Sequence, residues 1–372
     1  MVTSNGNSLD DTTIEILSRL PVKSLIRFRC VCKSWYSLVK DPNFIYKHLR
    51  NDDNIRLTVR YTVANEEDEY DDTDSYFSFF PDETLTDLSL QKLDPQRSEA
   101  VAIVGPYDGI FCLFRCNTFI TLWNIATKEY RVLPKCKVLL PHYTTIQDTD
   151  VAFGFDFSCN AYKLVSILTL WDKKRRLQYE LSHIVVYNLS TNSWRGYKGF
   201  EMKYYYMNYR GNSTCLNGVC YWIVLEDFDS KVILSFDMKD EVFQEIKTPC
   251  NPKSTLGELA LFNDSLSLLV LDEKEKCFDL WLMKERCWTK QFTVGPLLEV
   301  YEPLALWKKD SFFVESSNGE LLLYDTSTQE MRDLGLRCLW FSIYIYRESL
   351  ITLKGEDSLL GNCDIPWHIL GV

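Results

Sequence analysis

The chain has 372 residues and a formal net charge of −11 at pH 7. Hydrophobic residues make up 46% of it and aromatic residues 14%, a composition that excludes a disordered protein and predicts a large core. The negative charge argues against sequence-independent binding to nucleic acid. Because no run of about 18 apolar residues occurs and the first residues are polar and acidic, we expect no membrane span, no export signal, and a cytoplasmic protein, with the nucleus as a second location. The thirteen scattered cysteines are then expected to be reduced thiols.

Residues 10–49 predict three short helices. Asp10 or Asp11 can cap the first helix, Pro21 ends it and suits the first turn of the second, and Pro42 follows the end of the third. The apolar positions at helical spacing are Ile14, Leu17 and Leu20, then Val22, Leu25, Ile26 and Phe28, and finally Cys32, Trp35, Leu38 and Val39. Three short helices cannot cover so much apolar surface among themselves. Either the rest of the chain or a partner must cover it.

The stretch from Arg19 to Trp35, RLPVKSLIRFRCVCKSW, resembles the F-box of plant F-box proteins. It departs from the usual pattern upstream, where Leu9-Asp10 stands in place of a first Leu-Pro pair. The resemblance implies that this segment binds a Skp-type adaptor and, through it, a cullin. The residues expected to contact the adaptor are Ile14, Leu17, Leu20, Pro21, Leu25, Ile26, Val31, Cys32 and Trp35.

From residue 100 onwards the chain repeats a pattern of two large residues seven positions apart. The pairs are Trp123 and Tyr130, Tyr187 and Trp194, Phe236 and Phe243, Trp281 and Trp288, and Tyr324 and Met331. Turn-forming residues lie between the members of each pair and β-formers flank them, so each unit predicts a β-hairpin. Successive first aromatics are 64, 49, 45 and 43 residues apart, the size of a four-stranded propeller blade.

Strands predicted ahead of each hairpin complete five blades within residues 100–335. A sixth blade can join residues 341–346 and 350–353 to the strands of residues 55–93, which would pair the two ends of the domain. We therefore expect a mainly β protein with a small N-terminal α part: a flexible N-terminus (1–9), an F-box (10–49), a β-propeller (55–355) and a C-terminal tail (356–372). Six blades are expected, with seven as the alternative. A double-sheet sandwich would not explain the repeat.

The β region carries a second resemblance. The segments LWNIATKEYRVLP (122–134), VAFGFD (151–156), NGVCYW (217–222) and LSFDM (234–238) resemble the plant F-box-associated domain. GPYDG at 105–109 is further similar to S-locus F-box and S-locus F-box-like proteins. These resemblances imply the substrate receptor of an SCF-type ubiquitin ligase, whose propeller holds a client for ubiquitination and proteasomal degradation. The client could be a pistil ribonuclease of self-incompatibility, or a defence or hormone-signalling protein. A receptor that binds without degrading its client is the other alternative.

Signatures of catalysis are missing from the sequence. It has four histidines, no G-x-x-x-x-G-K or G-x-G-x-x-G motif, and no zinc-ligand spacing. We expect no catalytic residue, no metal and no cofactor. A propeller enzyme, the alternative class, would require clustered acids or a metal at the central channel.

Two segments are candidates for the client-binding surface. One is an acidic run containing Glu66, Glu67, Asp68 and Glu69; the other is YYYMNYR, with Tyr204, Tyr205, Tyr206, Tyr209 and Arg210. Aromatic residues and arginine are enriched at interface centres, and an acidic loop attracts an oppositely charged partner. Together they predict a basic client. The alternative is a solvated acidic loop and a tyrosine-rich strand edge.

Overall fold

The computed structural model describes residues 10–64, 73–80, 85, 89–92, 102–115, 119–136, 143–172, 181–200, 213–225, 231–249, 255–262, 264–272, 274–307, 310–338 and 340–353. The predicted flexible N-terminus (1–9) and tail (356–372) lie outside these ranges. The helices come first in the chain: α1 (Asp11–Ser18), α2 (Val22–Phe28), α3 (Lys33–Leu38) and α4 (Pro42–Leu49). No described helix has the length and apolar character needed to cross a membrane.

The segment 10–49 therefore contains four helices, and the prediction of three was wrong. Asp10 caps α1 as expected, its carboxylate accepting from the Thr13 N–H at 2.8 Å. Pro42 begins α4 instead of only marking the end of α3. Asp41 caps α4 by accepting from the N–H groups of Asn43 and Phe44 at 2.8 and 3.2 Å. A proline at the first helical position, preceded by an aspartate cap, is a start signal for a helix.

After α4, a 3-10 helix (Asp52–Asn54) leads into strands, which are the regular elements of the rest of the described chain. The first twelve are β1 (Ile55–Ala64), β2 (Thr73–Phe80), β3 (Ser89–Lys92), β4 (Ala102–Tyr107), β5 (Ile110–Arg115), β6 (Phe119–Asn124), β7 (Glu129–Val132), β8 (Thr144–Asp156), β9 (Ala161–Asp172), β10 (Leu181–Asn188), β11 (Ser193–Tyr197) and β12 (Thr214–Leu216). The second twelve are β13 (Val219–Leu225), β14 (Lys231–Asp237), β15 (Phe243–Lys247), β16 (Thr255–Phe262), β17 (Ser265–Asp272), β18 (Cys277–Lys284), β19 (Cys287–Val294), β20 (Val300–Trp307), β21 (Ser311–Ser316), β22 (Glu320–Asp325), β23 (Glu330–Arg337) and β24 (Trp340–Arg347).

These strands form six four-stranded antiparallel sheets within the described residues. Five sheets consist of consecutive strands, and we number them in chain order: the first sheet is β4–β7, the second β8–β11, the third β12–β15, the fourth β16–β19 and the fifth β20–β23. The remaining one, the composite sheet, has the order β24-β1-β2-β3 and combines both ends of the domain. The strands β4, β8, β12, β16, β20 and β24, each at one edge of its sheet, contact one another in a closed cycle.

The buried side chains follow the same cycle. Six apolar clusters each lie between two neighbouring sheets: composite and first, first and second, second and third, third and fourth, fourth and fifth, and fifth and composite. Each sheet therefore buries both of its faces against its neighbours. This arrangement is a β-propeller, in which radial repetition leaves short sheet edges at the outside.

The composite sheet confirms the prediction that the two ends of the domain share a sheet. β24 pairs with β1 in a continuous register from Ile55 opposite Arg347 to Thr62 opposite Trp340. The predicted strand at 350–353 is wrong, because the chain leaves the ladder after Arg347. Before Ile55 the chain forms a 3-10 helix (Asp52–Asn54) that cannot extend the strand pairing. The Glu348 N–H still donates to the Asn54 carbonyl, at 3.0 Å.

The repeated aromatic pairs lie opposite each other in four of the five predicted hairpins. Trp123 faces Tyr130, and the same register joins the pairs that begin at Tyr187, Phe236 and Tyr324. The residue after the first aromatic explains the turn: Asn124, Asn188, Asp237 and Asp325 each accept from the two backbone N–H groups two and three positions on. Such Asx turns fix a four-residue connection. The aspartate or asparagine directly after the first aromatic residue is therefore a structural part of the repeat.

The fourth sheet departs from this register. Trp281 pairs with Lys290, whereas Trp288 pairs with Met283. Leu282 occupies the position of the Asx residue, and the connection shrinks to Glu285 and Arg286, both with positive φ. Without the side-chain acceptor, a two-residue hairpin turn replaces the longer one.

A buried ion network joins the second and third sheets. The buried Lys163 ammonium lies 2.7 Å from the Asp156 carboxylate, 2.8 Å from the Glu241 carboxylate and 2.8 Å from the Met238 carbonyl. Burial acts against the charged form of Asp156, but hydrogen bonds from Lys163 and Ser158 outweigh it and lower the pKa of this carboxyl.

Nearby, within the third sheet, Cys215 and Cys220 face each other across β12 and β13 and form a disulfide. The expectation that all cysteines are reduced thiols was therefore wrong for this pair, whose direct cross-strand register brings the two sulfurs together.

Candidate functional site

The helical segment has its own small core, which the β region completes. Leu17, Val22, Leu25, Val39 and Phe44 are buried, and Leu350, which follows β24, is buried in the same cluster. The predicted adaptor residues Leu17 and Leu25 are 3% and 0% exposed, so they hold the helices together and present no surface to a partner. The sequence pattern could not separate these two roles, because core and interface leucines share the same helical spacing.

The other predicted adaptor residues lie closer to the surface. Val31 is 62% exposed, Pro21 and Cys32 are exposed, and Ile14, Leu20, Ile26 and Trp35 are partly buried. The Trp35 ring packs against Phe28, with ring centroids 5.1 Å apart. Three further exposed side chains were not predicted: Ile16, Tyr36 and Tyr46, at 58%, 46% and 53%. Ile16 lies outside the i, i+3 series of α1, so an amphipathic pattern gave no signal for it.

Residues at the end of β24 and directly after it connect the helices to the propeller. The Glu348 carboxylate accepts from the Val22 N–H at 2.8 Å, at the beginning of α2, and its other oxygen lies 3.6 Å from the Arg56 side chain in β1. Arg347 pairs with Asp52 at 2.8 Å. On the propeller side, the buried Asn124 amide donates to the carbonyls of Ser349 and Ile351 at 3.0 and 2.9 Å.

Buried polar groups also link the ends of the helices to the first strand. Asn54 is fully buried, and its amide donates to the carbonyls of Ser18 and His48 at 3.1 and 2.9 Å. The His48 ring nitrogen Nε2 lies 2.9 Å from the Leu20 carbonyl oxygen. Burial lowers the pKa of His48 below its ordinary value, since a charged imidazolium is disfavoured away from water. The helical segment thus has a defined position on the propeller.

The strand directions place the helices at one rim of the ring. The Tyr162 hydroxyl donates to the Asp108 carboxylate at 3.0 Å. This hydrogen bond joins the beginning of β9 to the turn after β4. A Cβ at Gly109 in that turn would lie 2.6 Å from the Ser349 side chain. Gly218, in the turn after β12, lies against Phe155 and Phe157, at the end of β8. The ends of β24, β4, β8 and β12 therefore share the helix-bearing rim, and β12 begins at the opposite one.

The two predicted client segments lie outside the described residues. Glu66, Glu67, Asp68 and Glu69 fall between β1 and β2; Tyr204, Tyr205, Tyr206, Tyr209 and Arg210 fall between β11 and β12. Because β1 runs antiparallel to β24, it ends at the rim away from the helices, and β12 begins there.

Within the described residues, no group of three or more His, Cys, Asp or Glu side chains is arranged to hold a metal ion.

Comparison with known families agrees with this architecture. Residues 10–47 match the F-box domain, and residues 81–363 match the F-box associated beta propeller domain. The second match alone covers more than half of the chain. The chain belongs to the family of F-box proteins that carry an F-box-associated β-propeller.

Similar proteins come from Arabidopsis thaliana. An F-box/kelch-repeat protein is 27% identical over 332 residues, covering 84% of this chain and 86% of its own. The F-box protein CPR1 is 24% identical over 364 residues, covering 88% and 84%, and a putative F-box protein is 26% identical over 343 residues, covering 85% and 82%. The plant F-box resemblance is thereby confirmed, while the narrower S-locus resemblance stays a prediction. Among solved structures, a chain of the nidogen/laminin complex has a TM-score of 0.45 at 11% identity, covering 79% of this chain and 99% of its own, a similarity too low for any conclusion.

Proposed function

We propose that this chain is the substrate-recognition subunit of an SCF-type ubiquitin ligase. The F-box binds a Skp-type adaptor and, through it, a cullin; the propeller binds a client protein. The observation that carries the proposal is the surface of the F-box, where Ile16, Val31 and Tyr36 are 58%, 62% and 46% exposed. Large apolar side chains at the centre of an interface supply most of its affinity. We therefore expect a partner protein to bury these exposed side chains of the F-box.

Charge gives this surface a second property. Residues 10–50 contain eight lysines and arginines and four acidic residues, whereas the rest of the chain contains 33 basic and 48 acidic residues. Seven of the eight basic side chains are exposed, namely Arg19, Lys23, Arg27, Lys33, Lys40, Lys47 and Arg50. The F-box is therefore a positive patch on a negative protein. We infer that the adaptor surface facing it is acidic, because complementary charge accelerates association and rejects wrong partners.

For the client, we propose the rim opposite the F-box. The connections 65–72 and 201–212, which contain Glu66–Glu69 and Tyr204–Arg210, join strands that end or begin at that rim. This location would point the client away from the adaptor. A basic client, of which a pistil ribonuclease is one example, would complement the acidic propeller, and its binding would weaken as salt rises. The proposed location of the receptor is the cytoplasm.

The role in degradation is tested by measuring the half-life of a client in cells. The client is first captured with a chain carrying Leu20→Ala and Pro21→Ala, which retains the propeller but should not recruit the adaptor. Restoring the wild-type chain should then shorten the half-life, and proteasome inhibition should lengthen it again. A client that is bound equally by both chains, with a half-life indifferent to the inhibitor, would identify a non-degradative binding module and refute the ligase assignment.

A further inference from the structure

The residues after β24 belong to two structural units at once. Leu350 is 2% exposed and lies in the core of the F-box, between side chains of α1, α2 and α4. Ser349, its neighbour, is fully buried on the propeller, where Asn124 holds its carbonyl. Leu353 continues into the cluster between the first and second sheets. The six residues 348–353 thus span the whole boundary between the helices and the propeller.

The F-box depends on this segment for a polar contact as well as an apolar one. The Glu348 carboxylate accepts from the N–H of Val22, one of the groups at the beginning of α2 that lack a partner within the helix. α2 has no capping side chain of its own, because its N-cap residue is Pro21. Glu348 therefore supplies from position 348 the capping acceptor that the local sequence of α2 does not provide.

The position of this segment is fixed by closure of the ring. Arg347, the last residue of β24, pairs with Ile55 at the beginning of β1, and the Glu348 N–H donates to Asn54. Asn54 in turn donates to two carbonyls of the F-box. If β24 leaves the composite sheet, Glu348 and Leu350 leave the F-box with it. The same strand closes the propeller and completes the helical core.

We propose that the F-box has its adaptor-binding conformation only when β24 is seated in the composite sheet. Glu348 and Leu350 are the positioning residues for this coupling: the first caps α2 and the second fills the core beneath α1 and α2. The inference rests on the proposed function, since it assigns a regulatory property to the adaptor site. An F-box on an open or truncated ring is then a poor adaptor ligand, so that only a closed receptor enters the ligase.

The first test measures adaptor affinity of the purified full-length chain by calorimetry. Leu350→Ala and Glu348→Ala should each weaken binding about tenfold, the factor expected when one molecule in ten is binding-competent. Leu350→Met, which conserves volume, and Glu348→Gln, which keeps an oxygen acceptor for the Val22 N–H, should restore most of the affinity. Leu298→Ala, at a residue that is 79% exposed, is the matched control and should change nothing. Unaltered affinity in both alanine variants would overturn the proposal.

The second test separates coupling from general destabilisation. Phe341 in β24 and Phe278 in β18 are both 1% exposed, but only Phe341 lies in the strand that leads to the F-box. We expect Phe341→Leu to accelerate amide hydrogen exchange in α1 and α2 and to weaken adaptor binding, while Phe278→Leu leaves both unchanged. Equal effects of the two substitutions on the helices, or no effect of either, would refute the coupling. If the wild-type chain binds no adaptor, the proposed function fails, but the exchange measurement still decides whether β24 and the F-box are coupled.

Discussion

Removal of β24 should prevent the propeller from folding. A chain that ends at Cys338 lacks five buried apolar side chains: Phe341, Tyr344, Tyr346, Leu350 and Leu353, at 1%, 9%, 7%, 2% and 3% exposure. Burial of a large apolar side chain contributes roughly 1.5–3 kcal/mol, so the five together contribute about 8–15 kcal/mol. The total stability of a folded protein is only about 5–15 kcal/mol. The loss is as large as the stability itself, before the open edge of β1 is considered.

The matched control is a chain that ends at Leu353, which keeps β24 and its contacts. Both chains are expressed under the same conditions, and the soluble fraction, the far-ultraviolet circular dichroism and the thermal melt are compared. We expect the chain ending at Leu353 to melt cooperatively and the one ending at Cys338 to be insoluble or unfolded. A soluble shorter chain with the same cooperative melt would show that the pairing of β24 with β1 does not hold the ring together.

Three further substitutions test individual contacts. Lys163→Met leaves the carboxylate of Asp156 buried without its cation and should lower the unfolding free energy by about 3–5 kcal/mol in urea titrations; a loss near zero would contradict the buried ion network. Because the pKa of His48 is lowered in the folded chain, the unfolded chain binds a proton at this residue first as the pH falls below about 6.5. The melting temperature should therefore fall between pH 7.5 and 5.5, and it should fall less steeply in His48→Gln. Parallel curves of melting temperature against pH for the two chains would refute this. Val31→Asp should abolish adaptor binding without changing the melt, whereas Leu298→Asp should leave binding intact.

The sequence predicted those parts of the fold that repeat. The pairs of large residues located five hairpins, and in four of them the two residues lie directly opposite each other across the strand pair. The edge strands on the inner side of the ring were harder: β12 is only three residues long, and β20 contains Pro303. Short strands and strands interrupted by proline have no clear alternating pattern. Their assignment depends on contacts with neighbouring sheets, which a local pattern does not contain.

The F-box shows a different limit of prediction from the sequence. Its helical periodicity marked Leu17, Leu25 and Cys32 alike, although the first two are buried and the third is exposed. Periodicity identifies an apolar face but does not say whether the chain itself or a partner covers it. The contribution of Glu348 had no local signal at all, because the residue lies 326 positions from Val22. Only the closure of the ring brings them together.

The most direct test of the account is a calorimetric titration of the full-length chain with a purified Skp-type adaptor. We expect one adaptor to bind per chain, with a negative heat-capacity change because the exposed apolar side chains of the F-box become buried. The double substitution of Leu20 and Pro21 to alanine should weaken binding by several kcal/mol, as expected for residues at an interface centre. The absence of binding by the folded wild-type chain, or equal binding by the double variant, would contradict the assignment of residues 10–49 as the adaptor site.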